Sequence, residues 1–290
     1  MYEKHLNRYN VIHIDFGRQP DSCEGYDDYI GDIIKTLQED LKEAYPQLAG
    51  REYRSLSRML QDTRESFIFI LDEWDSVFYE PFLTDRDKRS YLKFLKGLLK
   101  DRPYVELAYM TGVLPVAKYS SGSELNMFDE YNFMNDNVFD GFFGFQEEVK
   151  KLCMQHQTVS YEELKQWYDG YRTSTGKSLF NPRSASMALM RGVCLNYWTQ
   201  TGPMNEIADC IEHNAGEVRE DIVKLVSGIA AEAELGGYSA KQQRLETRDE
   251  ILSAMAVYGF LSYYKGYLNI PNQELMEKFQ RVLERDSMGR

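Results

Sequence analysis

Short apolar runs alternate along the first 110 positions with longer stretches in which apolar residues recur every three or four places. These are the periods of buried strands and of amphipathic helices. Val11-Ile12-His13-Ile14-Asp15-Phe16 predicts a first strand with an acid near its end. Residues 26–45 carry Ile30, Ile33, Ile34, Leu37 and Leu41 on one stripe and stop at Pro46, which predicts a helix. A second helix is expected over residues 51–65, with Leu56, Met59 and Leu60 inward. The run Phe67-Ile68-Phe69-Ile70-Leu71 is too short for a helix and reads as a strand buried on both faces. A helix over residues 85–100 and a third strand over 105–110, ending in Thr111-Gly112, complete the series. Strand, helix, strand in succession predicts an α/β fold with a parallel sheet and right-handed crossovers.

The chemistry gathers at the strand ends. Asp72 and Glu73 follow the central strand directly and Asp15 closes the first, so carboxylates meet the carboxyl edge of the sheet, where open α/β folds bind ligands. In a phosphate site the first acid of such a pair holds Mg²⁺ and the second orients and deprotonates an attacking water, a Walker B arrangement. The same residues also fit a buried strand running into an acidic helix cap. Where a catalytic glutamate directly follows the metal-binding aspartate, the next strand ends in a polar residue that senses the γ-phosphate, and Thr111 holds that place. A threonine before a glycine turn is equally an ordinary strand end.

Residues 114–145 are loop-rich and aromatic, with Tyr119, Phe128, Tyr131, Phe133, Phe139, Phe142, Phe143 and Phe145 but only Lys118 as a cation. Stacking on nucleic acid needs interleaved Lys and Arg, so packing is the expected role. Two helices are expected over 146–168, one over 184–198 and a further pair over 205–229, with a Gly-Ser loop at 236–241. The tail reads as a helix over 247–258, a hairpin turning at Lys265-Gly266, and a helix over 273–285, the order of a winged helix. Arg248, Asp249 and Glu250 make its first helix a poor reader of a DNA groove.

Gly176-Lys177-Ser178 imitates a phosphate loop, but Gly170 lies one residue too far back for G-x-x-x-x-G-K-[ST]. The segment before it is helical, and Phe180-Asn181-Pro182 is expected to follow in place of a helix, so a turn between two short extended pieces is predicted.

Charge and composition narrow the partners. A net charge of −12 opposes broad binding to nucleic acid or anionic membrane. No apolar run approaches the ~18 residues that cross a bilayer, and residues 1–10 lack a signal-peptide core, so a cytoplasmic protein is expected. Cys23, Cys153, Cys194 and Cys210 form no Cys-x-x-Cys pair, and the four histidines fall at no metal-ligand spacing.

The chain resembles the bacterial AAA-ATPase-like proteins often joined to a PD-(D/E)xK-type nuclease-like domain. The resemblance rests on the first strand, on Leu71-Asp72-Glu73-Trp74-Asp75 and on Met110-Thr111-Gly112-Val113. It continues through Gly144-Phe145-Gln146-Glu147-Glu148-Val149, Trp167-Tyr168-Asp169-Gly170-Tyr171 and Phe180-Asn181-Pro182-Arg183-Ser184. Tyr197-Trp198-Thr199-Gln200-Thr201-Gly202 and Ile270-Pro271-Asn272-Gln273-Glu274 extend it to the tail. It implies an incomplete P-loop NTPase-type α/β core over 1–144, a helical region over 145–235 and a winged-helix-like region over 236–290. In the intact protein it implies ATP and Mg²⁺ as cofactors, Asp72 as metal residue, Glu73 as catalytic base, and Thr111 and Asp15 as nucleotide-site residues. Family members carry a Walker A loop upstream of the first strand and commonly continue past the Ile-Pro-Asn segment into the nuclease-like domain. On that comparison these residues read as the middle of a longer protein, not competent in ATP hydrolysis alone, with residues 105–110 left as an unpaired edge. The rival reading is a non-enzymatic scaffold whose helical C-terminal half binds a protein partner. A metal-dependent nuclease built from Asp15, Asp72 and Glu73 ranks last, for want of the lysine such sites place after their acids.

Overall fold

The computed structural model describes residues 2–18, 20, 23–113, 116, 125–132, 138–199, 215–235 and 247–288. They form two compact units, Met1–Asp129 and Glu130–Arg290. Among the described residues no helix is long and apolar enough to cross a membrane.

The first unit is built on three parallel strands, β1 (Asn10–Asp15), β2 (Phe67–Asp72) and β3 (Val105–Met110), in that spatial order. After the short α1 (Tyr2–His5), the connections are α2 (Tyr26–Ala44) with α3 (Leu56–Thr63), and then α4 (Asp85–Leu99). Their ends follow local chemistry. The Ser55 side chain accepts from the Arg58 amide to start α3, later than the sequence suggested, and Thr84 with Asp87 forms a reciprocal capping box on α4.

Strand alternation sorts the sheet into two faces. Ile12, Ile14, Phe69 and Leu71 are buried, with Ile12 beside Phe69 and Ile14 beside Leu71 in register. Phe16 extends that face and meets Tyr91 of α4 edge to face, while Tyr45 at the end of α2 meets Phe67. The other face runs Val11, Ile68, Leu107 in one row and His13, Ile70, Tyr109 in the next. It is open: Leu107 is 55% and Tyr109 61% exposed, and Ile68 and Ile70 are only half-buried. The expectation of a central strand buried on both faces is therefore corrected, because α2 and α4 lie on the Phe69 face. The expected edge is observed, since among the described residues β3 pairs only with β2.

The second unit opens with α5 (Glu148–His156) and α6 (Tyr161–Tyr168), followed by the short antiparallel pair β4 (Tyr171–Arg172) and β5 (Ser178–Leu179). Helix α7 (Pro182–Arg191) ends earlier than the sequence suggested, because Gly192 takes a left-handed φ of +70°. Then come α8 (Ala215–Val226), β6 (Ala231–Glu232), α9 (Arg248–Val257), the hairpin β7 (Ser262–Tyr264) and β8 (Tyr267–Asn269), and α10 (Gln273–Met288). The hairpin turns at Lys265 and Gly266, both with positive φ, and β6 joins it to give the order β6-β8-β7. Helix α9 is buried continuously from Glu250 to Ala256. Arg248 is held by Asp221 (Nε to Oδ2, 2.5 Å) and by the Glu232 carbonyl, so this helix packs in the core and does not present itself to a groove.

The aromatic stretch departs from the packing expected of it. Tyr131, Phe139 and Phe142 stack edge to face, yet Phe142 is 86% exposed at the end of a single 3-10 turn. Tyr119, Phe133, the Ser120–Ser123 turn and the 236–241 loop lie outside the described residues.

Candidate active site

The tips of the three strands share the open face of the sheet. Asp15 stands in register with Asp72 and continues the Val11 and His13 alternation, while Thr111 follows Leu107 and Tyr109. The Thr111 hydroxyl donates to Asp72 Oδ1, and the Glu73 amide donates to the same oxygen at 3.1 Å. Among the described residues Asp72 Oδ2 keeps no partner, so one carboxylate oxygen remains for a hard cation.

Glu73 turns the chain. Its φ of +50° is left-handed, a conformation a non-glycine residue holds at a cost of about 1–3 kcal/mol where surrounding contacts enforce it. The contacts are visible on either side. Trp74 N donates to the Thr111 carbonyl at 3.0 Å, Thr111 N donates to the Leu71 carbonyl at 2.9 Å, and the Tyr91 hydroxyl donates to the Trp74 carbonyl at 2.6 Å. Burial holds the Tyr91 phenol well above its usual range, so it stays a donor. With Trp74 drawn into the core, the Glu73 side chain is sent back across the strand tips. There its Oε2 accepts from the Ser76 hydroxyl at 3.3 Å.

Two glycines make room for these acids. A Cβ on Gly17 would stand 2.0 Å from Glu73 Oε2 and 3.2 Å from Asp15 Oδ1. One on Gly112 would meet Trp74 Cδ1 at 2.4 Å and Asp75 Oδ1 at 2.6 Å. Asp75, buried, accepts from the Val113 amide at 3.0 Å and so ties the β3 exit to the β2 exit. Asp15 accepts from the Gly17 amide at 3.0 Å and pairs with Arg18 at 2.9 Å. All four predicted residues thus come together. Gly17, Arg18, Asp75 and Ser76 went unassigned in the sequence. The glycine directly after Asp15-Phe16 is the one local signal that pointed to a close approach.

Replacing Gly17 by alanine should leave the fold intact, since the atom in the way ends a flexible side chain. It should swing Glu73 off the strand tips. A crystal structure of Gly17→Ala with Glu73 still beside Asp15 would contradict this account.

Residues 1–121 match the AAA-ATPase-like family, described as predicted AAA-ATPase. The matched segment contains the whole three-stranded sheet and every strand-tip residue named above. No curated protein matches the chain. Among solved structures, a Walker-type ATPase of Pyrococcus abyssi shares 13% identity at a TM-score of 0.42, over 95% of this chain and 85% of its own.

The Gly176-Lys177-Ser178 turn holds no phosphate cradle. The Lys177 ammonium pairs with the buried Asp140 at 2.9 Å, the Ser178 hydroxyl donates to Asp169 at 2.6 Å, and the Thr175 hydroxyl donates to Asp140. These bonds, Thr175 first and then Lys177, hold the Asp140 carboxyl below its usual range. The predicted turn between extended pieces is present as β4 and β5. One detail is corrected: a helix does follow, because Asn181 caps it by accepting from Ser184 N and Pro182 occupies its first turn.

Proposed function

We propose that the strand tips are the metal-facing side of an ATP site in an ATPase-type domain. The observation that carries this is the row Asp15, Asp72 and Thr111 on one face of adjacent parallel strands, with Glu73 folded back over it. The donor set suits Mg²⁺, which takes one or two carboxylates and fills its shell with water and phosphate oxygens. Asp72 would hold the ion through Oδ2, steadied by Thr111 on Oδ1. Bound there, Mg²⁺ would neutralise charge on the transferring phosphoryl group. Glu73 would take a proton from the attacking water at its carboxylate, and Thr111 would register the γ-phosphate. Asp15 would support the acids from the neighbouring strand while Arg18 limits their mutual repulsion.

These 290 residues contain no G-x-x-x-x-G-K-[ST], so backbone amides and a lysine for the phosphates are not supplied beside Asp72. We therefore expect no useful ATP hydrolysis from these residues alone. The remaining residues are read as a helical region to about residue 235 and a winged-helix-like tail, suited to packing or to covering a nucleotide.

Calorimetric titration of Mg-ATP into this chain and into Asp72→Ala tests the proposal, with no binding expected in either. Micromolar binding lost in Asp72→Ala would show that the strand tips suffice. Turnover that vanishes in Glu73→Gln would show that they are also competent. In any longer form that carries a phosphate loop, turnover that survives Glu73→Gln would remove Glu73 from its role.

A second reading has its own support. Every acid at the tips has a structural partner: Arg18 for Asp15, Thr111 for Asp72 and Ser76 for Glu73. Caps of this kind also suit a non-enzymatic scaffold that binds a protein partner through its helical C-terminal half.

A further inference from the structure

Residues 51–58, Arg-Glu-Tyr-Arg-Ser-Leu-Ser-Arg, place three arginines within one short segment of a chain whose net charge is −12. The fold gathers them around one hollow of about 600 Å³ at the head of α3. Arg51, Arg54 and Arg58 line it with Tyr53 and Asp62, and among the described residues no aliphatic side chain contributes to its wall.

Asp62 sets two of the arginines in place. Its side chain, 22% exposed, pairs through Oδ1 with Arg58 Nε at 3.2 Å and through Oδ2 with Arg51 Nη1 at 3.5 Å. The Tyr53 hydroxyl donates to the same Oδ2 at 3.3 Å. Each guanidinium spends one nitrogen on this carboxylate and keeps its other donors for a ligand. Arg54 is exposed and has no partner among the described residues.

Charge identifies what the hollow accepts. Three arginines stand against two acids, Glu52 and Asp62, which leaves one net positive charge on the wall. The helix adds to it. Helix α3 has no acid in its first turn and carries Arg58 there, whereas α2 opens with Asp27 and Asp28 and α4 with Asp85 and Asp87. A cation at the positive end of a helix is unfavourable, and a bound anion relieves the conflict. Guanidinium forks approaching from three directions suit the several oxygens of a phosphate better than the two coplanar oxygens of a carboxylate. The volume is that of a small-molecule site and exceeds one phosphate group, and the polar wall calls for a polar remainder.

We propose that this hollow binds the phosphate group of a small polar phosphomonoester through Arg51, Arg54 and Arg58. The site is separate from the nucleotide reading. Helix α3 runs into the start of β2, and Ser57 donates to the Gly97 carbonyl in the last turn of α4 at 3.0 Å. The hollow therefore lies toward the amino edge of the sheet, and the strand tips lie at the carboxyl edge.

Calorimetric titration of ribose 5-phosphate, inorganic phosphate and ribose into the 290-residue chain tests the proposal, with amide NMR shifts to locate the site. Ribose 5-phosphate should bind with a Kd of about 1 mM or tighter, ribose should not bind, and the shifts should centre on residues 51–58. Inorganic phosphate binding as tightly would identify the free ion as the ligand of the same site. Arg54→Ala breaks no contact among the described residues, so it should weaken binding by roughly tenfold or more at an unchanged thermal midpoint. Arg86→Ala removes an exposed cation from α4 and should leave binding unchanged. Absence of binding by either phosphate, shifts confined to the strand tips, or equal weakening by the two variants would overturn the proposal.

Discussion

Alanine at Gly170 is expected to unfold the C-terminal unit or to cost it at least about 4 kcal/mol, the range reserved for severe steric or backbone conflicts. Gly170 has φ of +116°, where a side chain is strained in any surroundings. Here the surroundings are also closed: the added Cβ would lie 2.0 Å from the Pro271 carbonyl oxygen and 2.8 Å from its carbon. Neither partner can yield. Asp169 Oδ1 accepts from the Gly170 amide at 2.7 Å and from Ser178 at 2.6 Å, while Pro271 leads directly into Asn272 and Glu274. Gly228→Ala is the matched control, with φ of +79° and nothing within 4 Å of the added carbon. It should cost only the backbone penalty, about 1–2 kcal/mol. Urea denaturation of the two variants separates them, and equal midpoints would show that the Gly170–Pro271 contact is not as close as described.

The two faces of the parallel sheet should respond in opposite ways. Phe69 is fully buried between Ile12 and Ala108 in register and touches Tyr104, so Phe69→Ala should cost about 3–5 kcal/mol through lost contacts and a cavity. Leu107 and Tyr109 stand on the open face of an edge strand, and lysine there should change stability by no more than about 0.5 kcal/mol each. The double lysine variant should instead reduce self-association, since an exposed apolar edge is a template for pairing and charge on it blocks that pairing. Sedimentation over a range of concentrations checks the second claim and thermal denaturation the first. Marked destabilisation by Leu107→Lys would mean that the face is covered in solution.

The open face bears on the proposed reading of the strand tips as part of a nucleotide site. Asp15, Asp72 and Thr111 belong to the same alternation as Val11, Ile68 and Leu107, so the face that carries the acids is the one that α2 and α4 leave exposed. An electrostatic site gains strength from exclusion of water. Here the acids are met by Arg18, Ser76 and Thr111. A phosphate cradle and a cover for this face are the two features that would turn the arrangement into a working site.

Much of this was readable in the sequence for simple reasons. Five apolar residues before Asp72-Glu73 define a strand and its polar tip by local period alone, and three such strands joined by amphipathic helices leave a parallel sheet as the economical answer. Lys265-Gly266 between two aromatic stretches marks a hairpin by turn chemistry. What the sequence could not determine depended on non-local partners. That Phe69 and not Ile70 faces the helices follows from which side of the sheet the connections cross, and period-two alternation is the same for either choice. Whether Glu73 points to solvent or back over Gly17 depends on Trp74 being claimed by Thr111 and Tyr91. Lys177 could be judged a poor phosphate ligand from spacing, but its partner Asp140 lies 37 residues away. Glu274 looked like an ordinary acid in a helix first turn, and only the tertiary structure brings Ser184, Tyr197 and Trp198 to one of its oxygens. Local propensity acts within a turn or a pleat, whereas a buried charge is satisfied by whatever donors the assembled core delivers.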